Sequence, residues 1–306
     1  MSNMAYAVLM DNGNILPFLT QGEASSFFHN MWGKELHHNG AIIKSRQYRE
    51  GELVVLLDID VYCHKACFNR DGLHAYLYLD DDGMKVYSEA QDNEYFDAIV
   101  DVFQNQIKQT MSATFADHRR GATKGIGNFR QDLLPAYKAN RARNISNKFV
   151  PMLRAWAVAN GYAVEAHNME ADDFLRIWAE EHRASDEKFC VVSIDKDLKC
   201  IVGYHYNPWK NEHLHISEED AMQLYYRQIM MGDATDGIKG IPKLGPKTAE
   251  KLTAHCKTHE EYRMACLDAY MAAFPEDEWL SQLELNGALI HILRSYDDVF
   301  STAEWF

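Results

Sequence analysis

Three apolar runs of this chain end in aspartate: Leu53–Leu57 before Asp58, Ala113–Ala116 before Asp117, and Phe189–Ile194 before Asp195. Between them lie stretches whose apolar residues recur at helical spacing. These are Tyr95–Ile107, Phe149–Asn160 with Gly161 as its stop signal, and a helix opening near Glu170 with Ala171, Phe174, Leu175 and Trp178 on one face. Short buried runs alternating with helices require an α/β protein, with a mostly parallel central sheet covered by helices on both faces. In such a sheet the ligand crevice lies at the carboxyl ends of the strands, so Asp58, Asp117 and Asp195 are expected to converge there.

Further acids stand at turns. Glu170, Asp172 and Asp173 fill the first turn of one helix. Acids at a helix N-terminus gain about 0.3–1 kcal/mol each from the helix dipole. Three within four residues also repel one another, so a bound cation accounts for them better. Asp197 follows Asp195 by two residues, and Asp233 and Asp236 flank Ala234-Thr235. Carboxylates gathered in one cleft cannot all stay ionised without metal. An oxygen-only set selects hard ions, here two Mg²⁺ with Mn²⁺ as a substitute, and suits two-metal phosphoryl chemistry. No twelve-residue Asp-rich loop with a distal Glu points to an EF-hand calcium site. Cys63-His64-x-x-Cys67 and the pair His255/His259 lack further ligands nearby. The six cysteines form no Cys-x-x-Cys pair and read as reduced core thiols. Nothing resembles a serine nucleophile elbow.

With 31 basic against 45 acidic residues, the 306-residue chain carries a formal charge of −14, which argues at first against a nucleic-acid partner. By position the objection fails. From His118 to Arg154 nine basic residues, among them Arg130, Lys138, Arg141 and Arg143, face the single acid Asp132, and Tyr137 and Phe129 stand among them. A second basic region runs Gly237-Ile238-Lys239-Gly240-Ile241-Pro242-Lys243-Leu244-Gly245-Pro246-Lys247-Thr248-Ala249. Its glycines permit a tight turn, and Pro246 opens a helix whose free N–H groups suit a phosphate. The pattern is that of a helix-hairpin-helix, which grips duplex phosphates without reading bases. The expected partner is therefore DNA. No membrane-spanning run and no signal peptide are read, so a cytoplasmic monomer is expected.

The chain divides in this reading into an accessory element (1–51), a nuclease core (52–232) and a helical C-terminal region (233–306). The first part holds an expected hairpin, Tyr6–Met10 and Ile15–Leu19 around Asp11-Asn12-Gly13-Asn14, a helix near 24–32 and an extended Ala41–Ser45. Helices are expected near Glu260–Phe274 and Trp279–Ser295.

Phe129-Arg130-Gln131-Asp132-Leu133-Leu134-Pro135-Ala136-Tyr137-Lys138-Ala139-Asn140-Arg141, Glu170-Ala171-Asp172-Asp173, Ser193-Ile194-Asp195-Lys196-Asp197 and Gly232 through Ala249 resemble, in order, the signatures of the 5′-nuclease family of flap endonucleases and phage 5′→3′ exonucleases. The resemblance covers about residues 53–255 and is nearest to the phage enzymes. It implies a PIN-like, flap-nuclease fold and hydrolysis of DNA, or of RNA in an RNA–DNA hybrid, from or near a 5′ end. Asp58, Asp117, Glu170 and Asp172 would then hold a first metal, and Asp195, Asp197 and Asp233 a second with Asp172 bridging. Asp173 and Asp236 would support them. Lys138 and Arg141 would contact the scissile phosphate. Arg130, Tyr137, Arg143, Lys239, Gly240, Lys243, Gly245, Lys247 and Thr248 would contact DNA, with K⁺ as a candidate on the hairpin carbonyls. Where the family has Asp-Gly this chain has Asp58-Ile59-Asp60. Asp58 is preferred because it ends the apolar run, with Asp60 the alternative. The short connection from Arg130 to Lys148 favours an open, exonuclease-like clamp over a threading arch. A non-catalytic DNA-structure-binding protein and a small-molecule phosphatase are the rival readings; the second leaves both basic regions unexplained.

Overall fold

The computed structural model describes residues 52–68, 89–139 and 147–305, together with the backbone of strands at 6–10, 15–18, 33–38, 41–45, 78–79 and 85–86. Near the start of the chain β1 (Tyr6–Met10), β2 (Ile15–Phe18), β3 (Gly33–His38) and β4 (Ala41–Ser45) form an antiparallel sheet in the order β2-β1-β3-β4. β1 and β2 are the expected hairpin, with Tyr6 opposite Phe18 and Leu9 opposite Ile15. The helix expected near 24–32 lies outside the described residues.

The main sheet is built on β5 (Leu53–Asp58), which runs directly into α1 (Ile59–Cys67). After the two-residue strands β6 (Tyr78–Leu79) and β7 (Lys85–Val86) come α2 (Glu89–Thr114), β8 (His118–Lys124), α3 (Phe129–Leu133), α4 (Phe149–Ala159), β9 (Val164–Ala166) and α5 (Ala171–Ala184). Next are β10 (Lys188–Val192), a 3₁₀ turn at Asp197–Cys200, β11 (Gly203–Asn207) and β12 (Glu212–Ile216). The sheet order is β12-β11-β10-β5-β8-β9, parallel throughout except for the antiparallel edge strand β12. From β5 the chain moves outward through β8 and β9, then returns to place β10 on the other side of β5. The order therefore reverses between β5 and β10, and a crevice opens beyond the carboxyl ends of these two strands.

Period-two alternation supplies both faces of the sheet. Val55 and Leu57 of β5 and Cys190 and Val192 of β10 pack with Tyr62, Cys63, Ile99, Phe103, Phe149 and Leu153 of α1, α2 and α4. Leu56, Phe189 and Val191 turn to the opposite face, against Leu175 and Trp178 of α5.

α2 runs on to Thr114, so Ala113–Ala116 is no strand. The strand begins after Asp117, in the basic sequence His118-Arg119-Arg120-Gly121. Two aromatics make that sequence tolerable in a sheet: the Arg119 guanidinium lies 4.4 Å from the Tyr162 ring centroid, and that of Arg120 lies 4.4 Å from Trp178. Gly121 is required beside them, because a Cβ there would come within 2.2 Å of the Tyr162 carbonyl oxygen.

A third core joins Met222, Tyr226, Ile229 and Met230 of α6 (Glu218–Met231) to Ala249 of α7 (Pro246–Thr253) and to Tyr262, Cys266, Leu267 and Tyr270 of α8 (His259–Ala273), with Leu283 of α9 (Trp279–Ile290). α9 thus stops five residues short of the expected Ser295. Between α6 and α7 the chain folds back onto the end of α6. Gly232 and Gly240 both have positive φ (+70° and +61°), and a Cβ on Gly240 would meet the Met231 carbonyl carbon at 2.2 Å. Ile241 N–H donates to the Met230 carbonyl (2.7 Å) and Ile238 N–H to that of Asp233 (2.8 Å). This closure fixes Asp233 and Asp236 over the sheet crevice. All six cysteines are buried free thiols. Among the described residues no helix is long and apolar enough to cross a membrane.

Candidate metal centre

Asp58 is the last residue of β5, and Asp195 and Asp197 follow β10 directly, so these three flank the point where the strand order reverses. A chain of hydrogen bonds fixes them. Ser193 Oγ donates to Asp58 Oδ2 (2.9 Å) and accepts from Asp195 N–H (3.0 Å). Asp195 Oδ1 accepts from Asp197 N–H (2.9 Å), and Asp197 Oδ1 accepts from Gln228 Nε2 of α6 (2.5 Å). The first turn of α5 brings Glu170 and Asp172 to the same place. The cleft is walled by Tyr137, Lys138, Glu170, Asp172, Asp195, Asp197, Gln228, Asp233 and Asp236, with Asp58 near enough to Asp172 for their charges to interact.

Mutual repulsion in this low-dielectric setting is large. Burial first, then Asp60 and Asp195, push the Asp58 carboxyl up to about 7. Asp172 stands well above the usual carboxylate range through burial and the charges of Asp58, Asp195 and Glu170. Asp197 is pushed up to about 6, by burial and then by Asp195. Burial also pushes Asp233 upward, but Lys196 and the N–H of Thr235 outweigh it and hold this carboxylate below its ordinary value.

Two lysines supply positive charge. Lys138 Nζ lies 2.5 Å from Glu170 Oε1 and 3.4 Å from Asp236 Oδ2. Its backbone is left-handed (φ +56°) and is held there by its N–H to the Asp236 carbonyl (2.9 Å). Glu170 is steadied further by Asn128 Nδ2 (3.0 Å) and by the Tyr137 hydroxyl (3.1 Å). Lys196 Nζ lies 2.8 Å from Asp233 Oδ2. Among the described residues no three His, Cys, Asp or Glu side chains already enclose a metal position; lysines and backbone amides pair with several of the carboxylates. The donor set still fits hard divalent ions. It is oxygen-only, it is proton-binding where it is most crowded, and it already draws cations to two points.

The model of the 5′-3′ exonuclease N-terminal resolvase-like domain matches residues 54–227. This chain belongs to that family. Family members similar to it include DNA polymerase I of Rhizobium leguminosarum, 33% identical over 139 residues that make up 40% of this chain and 13% of the polymerase. A 5′-3′ exonuclease of Buchnera aphidicola from Schizaphis graminum is 26% identical over 134 residues, 40% of this chain and 47% of that protein. The chain thus spans less than half the length of these curated relatives. In fold it is similar to the bacteriophage T5 D15 flap endonuclease solved with DNA and metal ions, with a TM-score of 0.51 at 13% identity over 78% of this chain and 86% of that one.

Against the site expected for this exonuclease family, four residues are corrected. Asp117 precedes β8 instead of ending a strand. Its Oδ2 accepts from Leu53 N–H (2.8 Å) and its own N–H donates to the Leu53 carbonyl (2.9 Å), at the amino end of the sheet. That is five residues of β5, about 16 Å, from Asp58. Asp173 is fully buried and forms a bidentate pair with Arg130, both contacts at 2.8 Å, while accepting from Glu170 N–H (2.8 Å) and Leu293 N–H (3.0 Å). Neither Asp173 nor Arg130, itself 2% exposed, is open to metal or DNA. Tyr137, 3% exposed, presents no ring for stacking on a base; its hydroxyl holds Glu170.

Asp60 accepts from Thr123 Oγ1 (2.6 Å), Lys124 N–H (3.1 Å) and Arg154 Nε (2.6 Å), whereas Asp58 faces the cleft acids. Lys239, Lys243, Lys247 and Thr248 are exposed around the α6–α7 turn, Gly240 is buried within it, and Gly245 caps α7. Arg141 and Arg143 lie outside the described residues. Sequence reasoning missed Asn128 and Gln228. Asn128 carried a signal, as the helix-capping residue before Phe129, whose side chain accepts from Arg130 N–H (3.1 Å). Gln228 carried none.

Proposed function

We propose that this chain is a divalent-metal-dependent nuclease that hydrolyses DNA phosphodiester bonds from or near a 5′ end. The observation that carries the reading is the convergence of Asp58, Glu170, Asp172, Asp195, Asp197 and Asp233 on one crevice, from four separate segments, in a member of the 5′-3′ exonuclease family. In this reading Asp58, Glu170 and Asp172 would hold one Mg²⁺, and Asp195, Asp197 and Asp233 a second, with Asp236 in support. Divalent ions held there would supply Lewis-acid stabilisation of charge on the attacking and leaving oxygens. Lys138, kept at the cleft by Glu170 and Tyr137, meets the developing charge on the phosphate. Gln228 and Ser193 keep Asp197 and Asp58 from rotating away. The α6–α7 turn serves as the helix-hairpin-helix that holds the duplex, with its carbonyls available to a K⁺ ion.

Digestion of single-stranded, duplex, nicked, flapped and RNA–DNA hybrid substrates in Mg²⁺ or EDTA tests the reading. Mg²⁺-dependent products from 5′ termini are expected; products formed equally in EDTA would overturn it. Replacing Lys243 and Lys247 together by Ala is expected to weaken duplex binding, and to reduce the slope of log affinity against log salt by about two. Fluorescence anisotropy at several salt concentrations measures this, and an unchanged slope would remove the turn from the DNA-binding surface.

A further inference from the structure

The two cleft lysines are held in different ways. Lys138 is enclosed: its side chain is 19% exposed, it contacts two carboxylates, and it lies 5.0 Å from the centroid of the Tyr137 ring. Lys196 is 64% exposed and touches the cleft through its ammonium, 2.8 Å from Asp233 Oδ2 and 3.9 Å from Asp197 Oδ1. Asp233 by contrast is 5% exposed and cannot follow, because its Oδ1 accepts from Thr235 N–H (2.7 Å) inside the turn closed by Gly232 and Gly240. Of the two partners only the lysine is free to move. A divalent cation approaching Asp233 and Asp197 meets an ammonium already placed where its charge is needed, since the two cations seek the same oxygen.

We propose that Lys196 is the resident counter-cation of the Asp233–Asp197 half of the cleft, and that it must leave Asp233 for a divalent ion to bind there. Lys196 thereby sets the metal affinity of that half. It is a positioning residue, acting through Asp233. The inference rests on the metal reading above and adds what occupies the carboxylates before metal arrives. The arrangement has a physical use. Asp233 is buried, and an unpaired buried carboxylate would destabilise the α6–α7 turn whenever metal is absent. An exposed lysine on a flexible stem covers that charge and is displaced at modest cost, because its ammonium is already largely in water and is rehydrated as it leaves.

Binding of MgCl₂ without DNA, measured by calorimetry at fixed ionic strength, tests the inference on wild type, Lys196→Met and Lys199→Met. The last removes the same charge three residues away, from an exposed side chain without contact to a cleft carboxylate, and so reports the general electrostatic effect. Lys196→Met is expected to tighten Mg²⁺ binding about five- to tenfold, and Lys199→Met by less than twofold. In EDTA the Lys196→Met protein is expected to melt below wild type, and in saturating Mg²⁺ the difference should vanish. A purely structural lysine would lower the melting temperature in both conditions. Mg²⁺ binding that is unchanged or weaker in Lys196→Met, or equal gains in the two variants, would overturn the inference and leave the metal reading standing. Absence of Mg²⁺ binding in wild type and in Lys196→Met alike would overturn both.

Discussion

Asp58→Asn is expected to make the metal-free protein more stable while abolishing nuclease activity. In the folded state burial, Asp60 and Asp195 raise the Asp58 carboxyl from 3.8 to about 7. Raising an acid's folded-state pKa means that the native protein binds its proton more tightly than the unfolded chain does. Stability then falls as pH rises from about 4 through about 7, and the full cost is present above that window. At 1.36 kcal/mol per unit, the cost is on the order of 4 kcal/mol, shared among the interacting acids. Asparagine keeps the shape and still accepts from Ser193, but it carries no charge. Urea unfolding in EDTA should place the variant near wild type at pH 4 and above it by about 2–4 kcal/mol at pH 8. Equal stability at pH 8 would show that the carboxylate is not destabilising. Added Mg²⁺ should raise wild type more than the variant, which keeps the Asp195, Asp197 and Asp233 carboxylates.

Arg130→Met should act in the opposite direction, and more severely. Arg130 joins three parts of the fold. It pairs with Asp173 at the start of α5, and donates through Nε to the Leu289 carbonyl (3.1 Å) and through Nη2 to that of His291 (2.5 Å). Removing it leaves a fully buried carboxylate with two backbone donors and two carbonyls without this partner. A loss of about 3–5 kcal/mol is expected, because a broken buried pair costs far more than the pair contributed. Replacing Asp173 by Leu in the same chain should recover part of that loss, and a double-mutant cycle in urea measures how much. A single-variant loss under 1 kcal/mol would contradict the structural role given to this pair. Activity should fall in Arg130→Met even where the protein is folded, since Asp173 also orients Glu170 through its N–H.

That pair marks where the sequence stops being legible. Asp173 is one of three acids in a helix's first turn, and Arg130 one of nine cations in a basic stretch; nothing in spacing alone removes these two from their groups. The spacing of Glu170 and Asp173 is itself that of a cap, and the cap is what the structure uses. Asp58 and Asp195 reach the crevice where their apolar runs end, and for a physical reason. β5 and β10 lie at the centre of the sheet, both faces are covered, and a central strand must be apolar until it emerges at the crevice. Asp58 and Asp195 were visible for that reason. β8 escaped notice because Tyr162 and Trp178 shield its arginines, so a strand beside the centre reads as a basic loop. With the strand misplaced, Asp117 was assigned to the wrong end of the sheet. β11 and β12, Gly-Tyr-His-Tyr-Asn and Glu-His-Leu-His-Ile, lie toward the edge and lack the continuous apolar run that betrays a central strand. The formal charge of −14 hides a separation by position. Seven acids gather at the cleft, where lysines already offset part of their charge, while Lys239, Lys243 and Lys247 remain exposed.

The central claim is that these carboxylates gather metal to cut DNA at a 5′ terminus. Release of label from a 5′-labelled duplex by wild type and by Asp195→Asn, each in Mg²⁺ and in EDTA, tests it most directly. Wild type should release 5′ label in Mg²⁺ only, and Asp195→Asn should release at least a thousandfold less while still binding the duplex. Equal release by the two proteins, or release in EDTA, would contradict the account.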